Sequence, residues 1–432
     1  MNLQQLLDSP LDGTIKGIPP SVQRLALRDV GKQNWNLLRG DLPLPQAILK
    51  QSALAHNSRW MRNFLAASGA LFCPHGKTTM APQLFARQLA DGAWGITLAT
   101  MQQVRVARQF GVQRILLANQ LTCPVAIRYI LDELQRDAEL DFYCLVDSVA
   151  GVELLAQVAQ AQGARRPLQV LVELGVPGQR AGVRGIASAV ELARVVQGHA
   201  PWLELRGVEG FEGVISAETA DERSRRVREY LRELVELARQ LWREHLFSPG
   251  PFLVTAGGSS YFDLVANGIA AEQLGADARV VVRSGCYLTH DSAVLDRLYQ
   301  DLLARDPIAA GAGKGLQPAL EVWSRVQSRP EPTRVILTMG KRDVSFDADL
   351  PRPTVHYRTG RDQAPQPISA DHRVIGLNDQ HALVDVPPHS PLAVGDLVGC
   401  GISHPCTTFD RWEFLSVVND EYDVVEGIRT LF

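Results

Sequence analysis

A lysine stands directly after an apolar run and a Pro-His-Gly turn in LFCPHGKTTMAP, residues 71–82. A lysine amine that is buried, or that lies near other cations, can stay neutral and form a Schiff base with a carbonyl compound. The letters GKT also end a nucleotide-binding loop, but that loop needs a glycine at the position of Leu71. Lys77 is therefore a candidate imine-forming lysine, and a solvated loop lysine is the alternative.

Two turns rich in glycine and serine follow apolar runs much later in the chain. They read AGGSS, residues 256–260, and RSGC, residues 283–286. Backbone N–H groups of such turns bind phosphate, particularly where a helix begins just after them. Either turn alone is a weak signal, but the two together indicate a phosphate site.

His404, Pro405 and Cys406 form a third candidate group near the C-terminus. Residues two apart on a strand point to the same face, so the imidazole and the thiolate are predicted to share one metal ion. Zinc suits this pair of ligands. Two protein ligands leave positions for water and substrate, as in a catalytic ion. The alternative is a core residue beside a surface residue.

Short apolar segments recur between about residues 70 and 285, and amphipathic helical stretches separate them. Eight such segments alternating with helices predict an α/β fold, a (β/α)8 barrel over residues 45–305. An open doubly wound sheet would need a Gly-x-Gly-x-x-Gly motif after its first strand, and none follows an early segment. The predicted strands are 70–73, 94–99, 114–119, 142–147, 168–174, 204–210, 252–257 and 278–284.

The barrel places the candidate residues at one end. Reactive groups of a barrel lie just beyond the C-terminal ends of its strands, and phosphates commonly bind at the loops after strands seven and eight. Lys77 follows the first predicted strand, and AGGSS and RSGC follow the last two. A lysine facing a phosphate site across the barrel mouth predicts pyridoxal 5′-phosphate as the cofactor, linked to Lys77.

A second domain is predicted after residue 305, where a Gly/Pro/Ala-rich linker precedes short β-type segments. These segments predict an all-β domain over residues 318–432. A strand within residues 20–44, containing RLALRDVG, is predicted to join that domain.

Composition excludes several classes of function. The net charge of −3 and the pI of about 6.4 do not indicate binding to nucleic acid or to an anionic membrane surface. The N-terminus lacks a basic region followed by an apolar run, so no signal peptide is predicted. No apolar stretch reaches the ~18–20 residues of a membrane helix. The six cysteines form no C-x-x-C pair, which predicts free thiols in a reducing cytoplasm.

The motifs PHGKT, GITLAT, AGGSS, SHPCTTFDRW and VVNDEYDVVEGIRTLF resemble those of the D-serine dehydratase and D-threonine aldolase family. The resemblance spans the chain from about residue 45 and looks strongest for the bacterial D-serine dehydratase-like "amino acid deaminase" branch. It implies the alanine racemase fold, in which a pyridoxal phosphate barrel precedes a β domain. It also implies a head-to-tail homodimer whose β domains close the partner barrels.

The resemblance also assigns roles to the candidate residues. Lys77 matches the Schiff-base lysine, and Arg180 matches the arginine that faces the phenolic oxygen of the cofactor. Arg283 stands where alanine racemases keep an arginine against the pyridine nitrogen. His404 and Cys406 match the zinc-binding motif of D-serine dehydratases, although another divalent metal is an alternative. The residues that match the phosphate-binding turns are Gly257, Gly258, Ser259, Gly285 and Cys286.

These assignments predict a dehydratase that converts a β-hydroxy D-amino acid, such as D-serine or D-threonine, to a 2-oxo acid and ammonia. A metal-dependent D-threonine-type aldolase is the main alternative, but members with that activity tend to carry an acidic residue in place of Cys406. An amino acid racemase is a further alternative, but it does not explain the metal motif. Small non-catalytic pyridoxal phosphate carriers lack a β domain, which makes that alternative weaker.

Three residues near these motifs have no assigned role. His75 precedes Lys77 by two residues and either orients the lysine or is a hydrogen-bonded turn residue. His290 and Asp291 follow the RSGC turn closely and either border the site or have no part in it.

Overall fold

In the computed structural model, which describes residues 1–270 and 274–432, eight parallel strands form the centre of the first domain. Parallel strands are buried on both faces, so each is a nearly continuous apolar segment, which explains why all eight were predictable. The strands are Leu71–Phe72, Ile96–Leu98, Arg114–Gln120, Asp141–Val146, Leu168–Leu174, Leu203–Gly210, Phe252–Ala256 and Ala278–Val282.

The sheet closes on itself and confirms the predicted barrel. From the second strand to the eighth, each strand pairs with its neighbour in the chain. The first strand pairs with the eighth, with Leu71 opposite Val281. On its other side, the first strand continues to His75, which forms a parallel bridge with Thr97 of the second strand.

Amphipathic helices surround the barrel and bury their apolar faces against it. The longest, Ala220–Arg243, begins at Thr219, whose hydroxyl accepts a hydrogen bond from the Glu222 N–H as an N-cap. No helix in residues 1–270 and 274–432 is long and apolar enough to cross a membrane. The other helices of this layer are Gln51–Ser68, Pro82–Ala90, Met101–Gln109, Pro124–Arg136, Val149–Ala161, Ile186–Gly198, Phe262–Ala270, Val294–Arg305 and the short Pro307–Gly311.

A ten-stranded, mainly antiparallel sheet forms the second domain. Its C-terminal part confirms the predicted all-β region, and a short helix, Cys406–Phe409, interrupts the strands. The strands are Gln46–Lys50, Leu320–Glu331, Arg334–Leu337, Arg352–Tyr357, Gln366–Pro367, Arg373–Leu377, Ala382–Asp385, Leu397–Gly401, Phe414–Val418 and Val424–Arg429.

The N-terminal strand of this sheet differs from the prediction. Gln46–Lys50 pairs with Leu320–Glu331 and Phe414–Val418, so it belongs to the β domain rather than to the barrel. The segment RLALRDVG, predicted as the joining strand within residues 20–44, pairs instead with Pro10–Leu11 through Leu25–Ala26 and then forms a 3-10 helix. Gln46–Lys50 takes the central position in the sheet because its residues are almost fully buried there. Leu25 and Ala26 are only half-buried, as in a short strand pair at the surface.

Candidate active site

Lys77 lies in a single 3-10 turn, Gly76–Thr78, just beyond the end of the first barrel strand. The turn is held against the loop after the eighth strand, because the His75 N–H donates to the Arg283 carbonyl at 3.2 Å. The two loops touch at Gly285, where an added Cβ would lie 2.6 Å from the Cβ of His75. Glycine at 285 therefore lets the lysine turn pack on the RSGC turn.

The barrel mouth contains a cavity of about 130 Å³ beside this turn. The cavity brings together three of the predicted residues, Lys77, Arg180 and Arg283, from different loops. The amine of Lys77 makes no ion pair with any residue that the structure describes, and its side chain is exposed towards this opening. Arg180 lies over the Phe211 ring at 5.3 Å. The polar lining residues are His75, Lys77, Asn119, Glu173, Arg180, Glu209 and Arg283.

Arg283 is buried at the base of the cavity. Its guanidinium forms an ion pair with Glu209 and donates a 2.9 Å hydrogen bond from Nη2 to the Gly210 carbonyl. Its Nε and the Oε2 of Glu209 make no hydrogen bond within the described residues. Buried polar atoms normally have partners, so unpartnered atoms beside a cavity fit a polar ligand that would complete them.

Glu173 is a second carboxylate of the cavity, and its pKa is shifted. Burial, followed by the nearby charge of Glu209, raises the pKa of Glu173 to about 7 from its ordinary 4.5. The side-chain amide of Gln120 donates to it. Sequence reasoning missed both glutamates, although each stands near the C-terminal end of a barrel strand in an apolar context, LQVLVEL and LELRGVEG. Such shifted, cleft-lining groups are typical of functional sites.

His75 lines the same cavity as a neutral ring. Burial, with the positive charges of Arg283, Lys77 and Arg180, lowers the pKa of His75 well below its ordinary value. Its Nδ1 has no hydrogen-bond partner within the described residues. His75 therefore borders the site and supplies a further unpartnered polar atom.

The AGGSS turn is already occupied in part by a carboxylate of the protein. Gly257, with φ of +98°, and Gly258 donate their N–H groups to the two carboxylate oxygens of Glu212 at 2.9 and 3.0 Å. Glu212 is fully buried, and burial raises its pKa. The amides of Gly257 and Gly258, predicted to bind phosphate, are thus engaged in this structure.

Other amides of the two turns remain available. The N–H groups of Ser259, Ser260 and Gly285 make no hydrogen bond in the part of the chain that the structure describes. Ser259 and Ser260 lie just before the helix Phe262–Ala270, whose N-terminus favours anions. The Cys286 N–H donates to the Ser259 hydroxyl at 3.2 Å and so joins the two turns. These amides could hold a phosphate group.

The His-Pro-Cys motif is not on a strand, which corrects the prediction. The strand Leu397–Gly401 ends before it, His404 has a left-handed φ of +52°, and Cys406 begins the helix Cys406–Phe409. The strand geometry fails because Pro405 has helical torsion angles and starts the turn. The two side chains meet nevertheless: their hydrogen bond to each other is the main cause that raises the pKa of His404 to about 9.

Cys406 also contacts the barrel. Its sulfur lies 3.7 Å from the sulfur of Cys286 and 3.4 Å from the hydroxyl of Thr78, the residue after Lys77. The hydrogen bond from Cys286 lowers the pKa of Cys406 well below its ordinary value, while the same contact raises the pKa of Cys286. Cys286, predicted only as part of a phosphate turn, therefore directs its side chain to the metal motif.

An imidazole beside a thiolate is a suitable donor pair for zinc. No group of three or more His, Cys, Asp or Glu side chains is arranged around a metal position in the described ranges. The pair fits an ion that keeps open positions rather than a closed structural site.

Asp291 borders the His-Pro-Cys motif, because its Oδ2 accepts a 3.4 Å hydrogen bond from the His404 N–H. Asp291 accepts hydrogen bonds from the N–H groups of Ala293 and Leu295 at 2.9 Å, and so holds the start of a helix. His290 is buried against the ring of Tyr299 at 5.3 Å. Neither residue lines the cavity at the barrel mouth.

Comparison with known proteins gives two family matches. The alanine racemase N-terminal domain matches residues 49–276, and the putative serine dehydratase domain matches residues 319–418. A D-threonine aldolase from Arthrobacter sp. is 27% identical over 386 residues, covering 89% of this chain and 90% of the relative. A D-threo-3-hydroxyaspartate dehydratase from Delftia sp. (strain HT23) is 30% identical over 142 residues, 33% of this chain and 36% of the relative.

Solved structures agree with the fold. A D-threonine aldolase from Filomicrobium marinum superposes with a TM-score of 0.73 at 21% identity, covering 90% of this chain and 95% of that one. The Delftia dehydratase superposes with a TM-score of 0.71 at 22% identity, covering 92% and 99%.

Proposed function

Because the chain belongs to the D-serine dehydratase and D-threonine aldolase family, we propose that it is a pyridoxal phosphate- and zinc-dependent dehydratase of β-hydroxy D-amino acids. Its products would be a 2-oxo acid and ammonia. The family supports a pyridoxal phosphate-dependent lyase. The observation that supports the proposal is the contact between Cys406 and Thr78, the residue after Lys77, because a metal held by Cys406 would then lie near the candidate base.

The proposed cofactor would lie in the cavity at the barrel mouth. Lys77 would hold it covalently, the free amides of Ser259, Ser260 and Gly285 would hold its phosphate, and His404 with Cys406 would hold zinc. Bound there, pyridoxal phosphate supplies an electron sink for the substrate Cα, and zinc supplies a Lewis acid for the β-hydroxyl.

The chain itself supplies the proton chemistry. Lys77 is the proposed base, and its Nζ would take the proton from Cα, since it faces the cavity without an ion-pair partner among the described residues. Arg180 and Arg283 add positive charge on the same cavity, which suits an anionic cofactor and a substrate carboxylate. Glu209 neutralises much of the charge of Arg283 and holds its guanidinium in place, so Arg180 and Lys77 supply most of the positive charge.

An aldolase is the second candidate. It is favoured by the match to the Arthrobacter D-threonine aldolase, which covers far more of this chain than the match to the Delftia dehydratase. Cys406 supports the dehydratase, because a thiolate in the metal pair departs from the acidic residue that the aldolase resemblance implies. We also propose a homodimer, since a closed symmetric pair is the commonest assembly and the family resemblance implies one.

Product analysis with D-serine, D-threonine and D-threo-3-hydroxyaspartate tests the function. The dehydratase proposal expects a 2-oxo acid and ammonia in equal amounts, and a loss of both on chelation. Glycine with an aldehyde would establish the aldolase instead. Inversion of configuration or no reaction would contradict both. Sedimentation of the active protein as a monomer would exclude the dimer.

A further inference from the structure

A carboxylate outside the motif lies against the candidate metal ligand. Oδ2 of Asp347 is 2.5 Å from Nδ1 of His404. Its other oxygen, Oδ1, accepts a 2.8 Å hydrogen bond from the hydroxyl of Thr407. Both oxygens are therefore engaged, one by the candidate ligand and one by a residue of the short helix Cys406–Phe409. The motif does not predict this contact, because Asp347 lies 57 positions earlier in the chain.

His404 depends on such contacts because no helix or strand sets its orientation. It follows the strand Leu397–Gly401, has a left-handed φ of +52°, and leaves 39% of its side chain exposed. A side chain in this situation keeps rotamer freedom, and losing that freedom opposes ligand binding. A hydrogen bond to a carboxylate that is itself held removes the freedom before an ion arrives.

The same hydrogen bond decides which ring nitrogen is left for a metal. Imidazole binds a metal through the nitrogen that carries no proton, and the hydrogen bond at the other nitrogen selects the tautomer. Histidine ligands usually donate that other N–H to a carboxylate, a backbone carbonyl or water. With the Nδ1 proton directed to Asp347, Nε2 of His404 is the nitrogen that would give up its proton and bind a metal.

We propose that Asp347 is a positioning residue of the metal pair, which fixes His404 for binding through Nε2 and is itself held by Thr407. The inference rests on the zinc site of the proposed function. The competing explanation is an ordinary surface ion pair, because 46% of the Asp347 side chain is exposed. Such pairs contribute little, and removing one would leave the metal affinity of the protein unchanged.

Zinc affinity of the full chain, measured by competition with a chromophoric chelator, separates the two explanations. Asp347→Ala should bind zinc about 10–100-fold more weakly, the usual effect of losing a partner of a metal-binding histidine. Thr407→Val should show a smaller loss in the same direction. Asp349→Asn is the matched control, because Asp349 is a half-buried carboxylate two residues further along the chain that pairs instead with Arg297 and Arg352. Unchanged affinity in Asp347→Ala would overturn the proposal.

Nitrogen-15 NMR reports which ring nitrogen of each histidine carries a proton. A purely structural role of Asp347 would leave this tautomer unchanged. In the zinc-loaded protein, His404 should carry its proton on Nδ1 and bind zinc through Nε2. The Asp347→Ala variant should show a mixture of tautomers while its circular dichroism stays native. Zinc on Nδ1 in the wild type would contradict the proposal. A wild type that binds no zinc, with no change in His404→Ala, would show that the metal site of the proposed function is wrong.

Discussion

The sulfur of Cys286 lies 3.7 Å from the sulfur of Cys406, and this contact joins the barrel to the β domain at the candidate metal pair. Cys286 follows the eighth barrel strand, whereas Cys406 begins a short helix of the β domain. All six cysteines are free thiols. The contact therefore places a second thiol beside the one that is proposed to bind zinc.

Mild oxidation of the zinc-free protein should link these two thiols. Disulfides form when a thiolate attacks an activated sulfur within reach, and here the partner sulfur is already in contact. Diamide should give a peptide pair joined through Cys286 and Cys406, detected by mass spectrometry without reduction. Bound zinc should slow the reaction because it occupies the Cys406 sulfur. The exposed Cys123 should stay unlinked within the chain, and formation at equal rates with and without zinc would contradict zinc binding at Cys406.

The fold was more predictable than the site because its signal is local. Each barrel strand is an apolar run that parallel pairing buries on both faces, as in LQVLVEL of Leu168–Leu174. The position of Gln46–Lys50 was not predictable in this way. Its partners, Leu320–Glu331 and Phe414–Val418, lie in the other part of the chain, and no local pattern records that pairing.

The site shows the same division. Lys77 was recognisable because a lysine after a first strand has a specific place in a barrel. The contact of Glu212 with Gly257 was not, because it joins loops 45 residues apart. The spacing of His404 and Cys406 predicted a strand, but side chains two residues apart can also meet in a tight turn. The spacing alone therefore did not reveal that a helix begins at Cys406. Contacts between loops depend on the assembled barrel, and one sequence does not reveal them.

Glu173 should make the stability of the cofactor-free protein depend on pH. Its pKa of about 7 in the folded protein exceeds the ordinary 4.5, so between these values the native state holds a proton that the unfolded chain has released. The free energy of unfolding should therefore fall as pH rises through this window. The fall is roughly 3 kcal/mol if the unfolded chain has the ordinary pKa at Glu173. Urea denaturation of the wild type and Glu173→Gln at several pH values measures this.

The Glu173→Gln variant should match the wild type near pH 4, where Glu173 is already neutral, and exceed it at pH 8. Arg114→Gln, which changes a residue paired with Asp141 outside the cavity, serves as a control for a simple change of charge. Equal pH slopes in the wild type and Glu173→Gln would show that Glu173 titrates normally.

Borohydride reduction of the protein loaded with pyridoxal phosphate should attach the cofactor to Lys77. Reduction makes the lysine linkage permanent, and peptide mapping then locates it. The alternatives are poorly placed: Lys50 pairs with Glu321 at 2.7 Å, and Lys341 lies over the Phe346 ring at 5.6 Å. An adduct on Lys50, Lys314 or Lys341 would contradict the assignment of the barrel mouth as the cofactor site. Lys77→Ala should give no adduct there while keeping its native circular dichroism.

Removing zinc should harm the two steps of the proposed reaction unequally. Loss of the Cα proton needs Lys77 and the cofactor, whereas hydroxide is a poor leaving group and needs Lewis-acid help worth several kcal/mol. Chelation, or Cys406→Ala, should therefore lower the release of 2-oxo acid from D-serine by ~10³-fold or more. The β-chloro analogue of D-alanine should lose far less activity, since chloride departs without such help. Circular dichroism must show that the zinc-free protein is folded. Equal losses with both substrates would mean that zinc positions the substrate or the loop, and that the proposed role of Cys406 in expelling the hydroxyl is wrong.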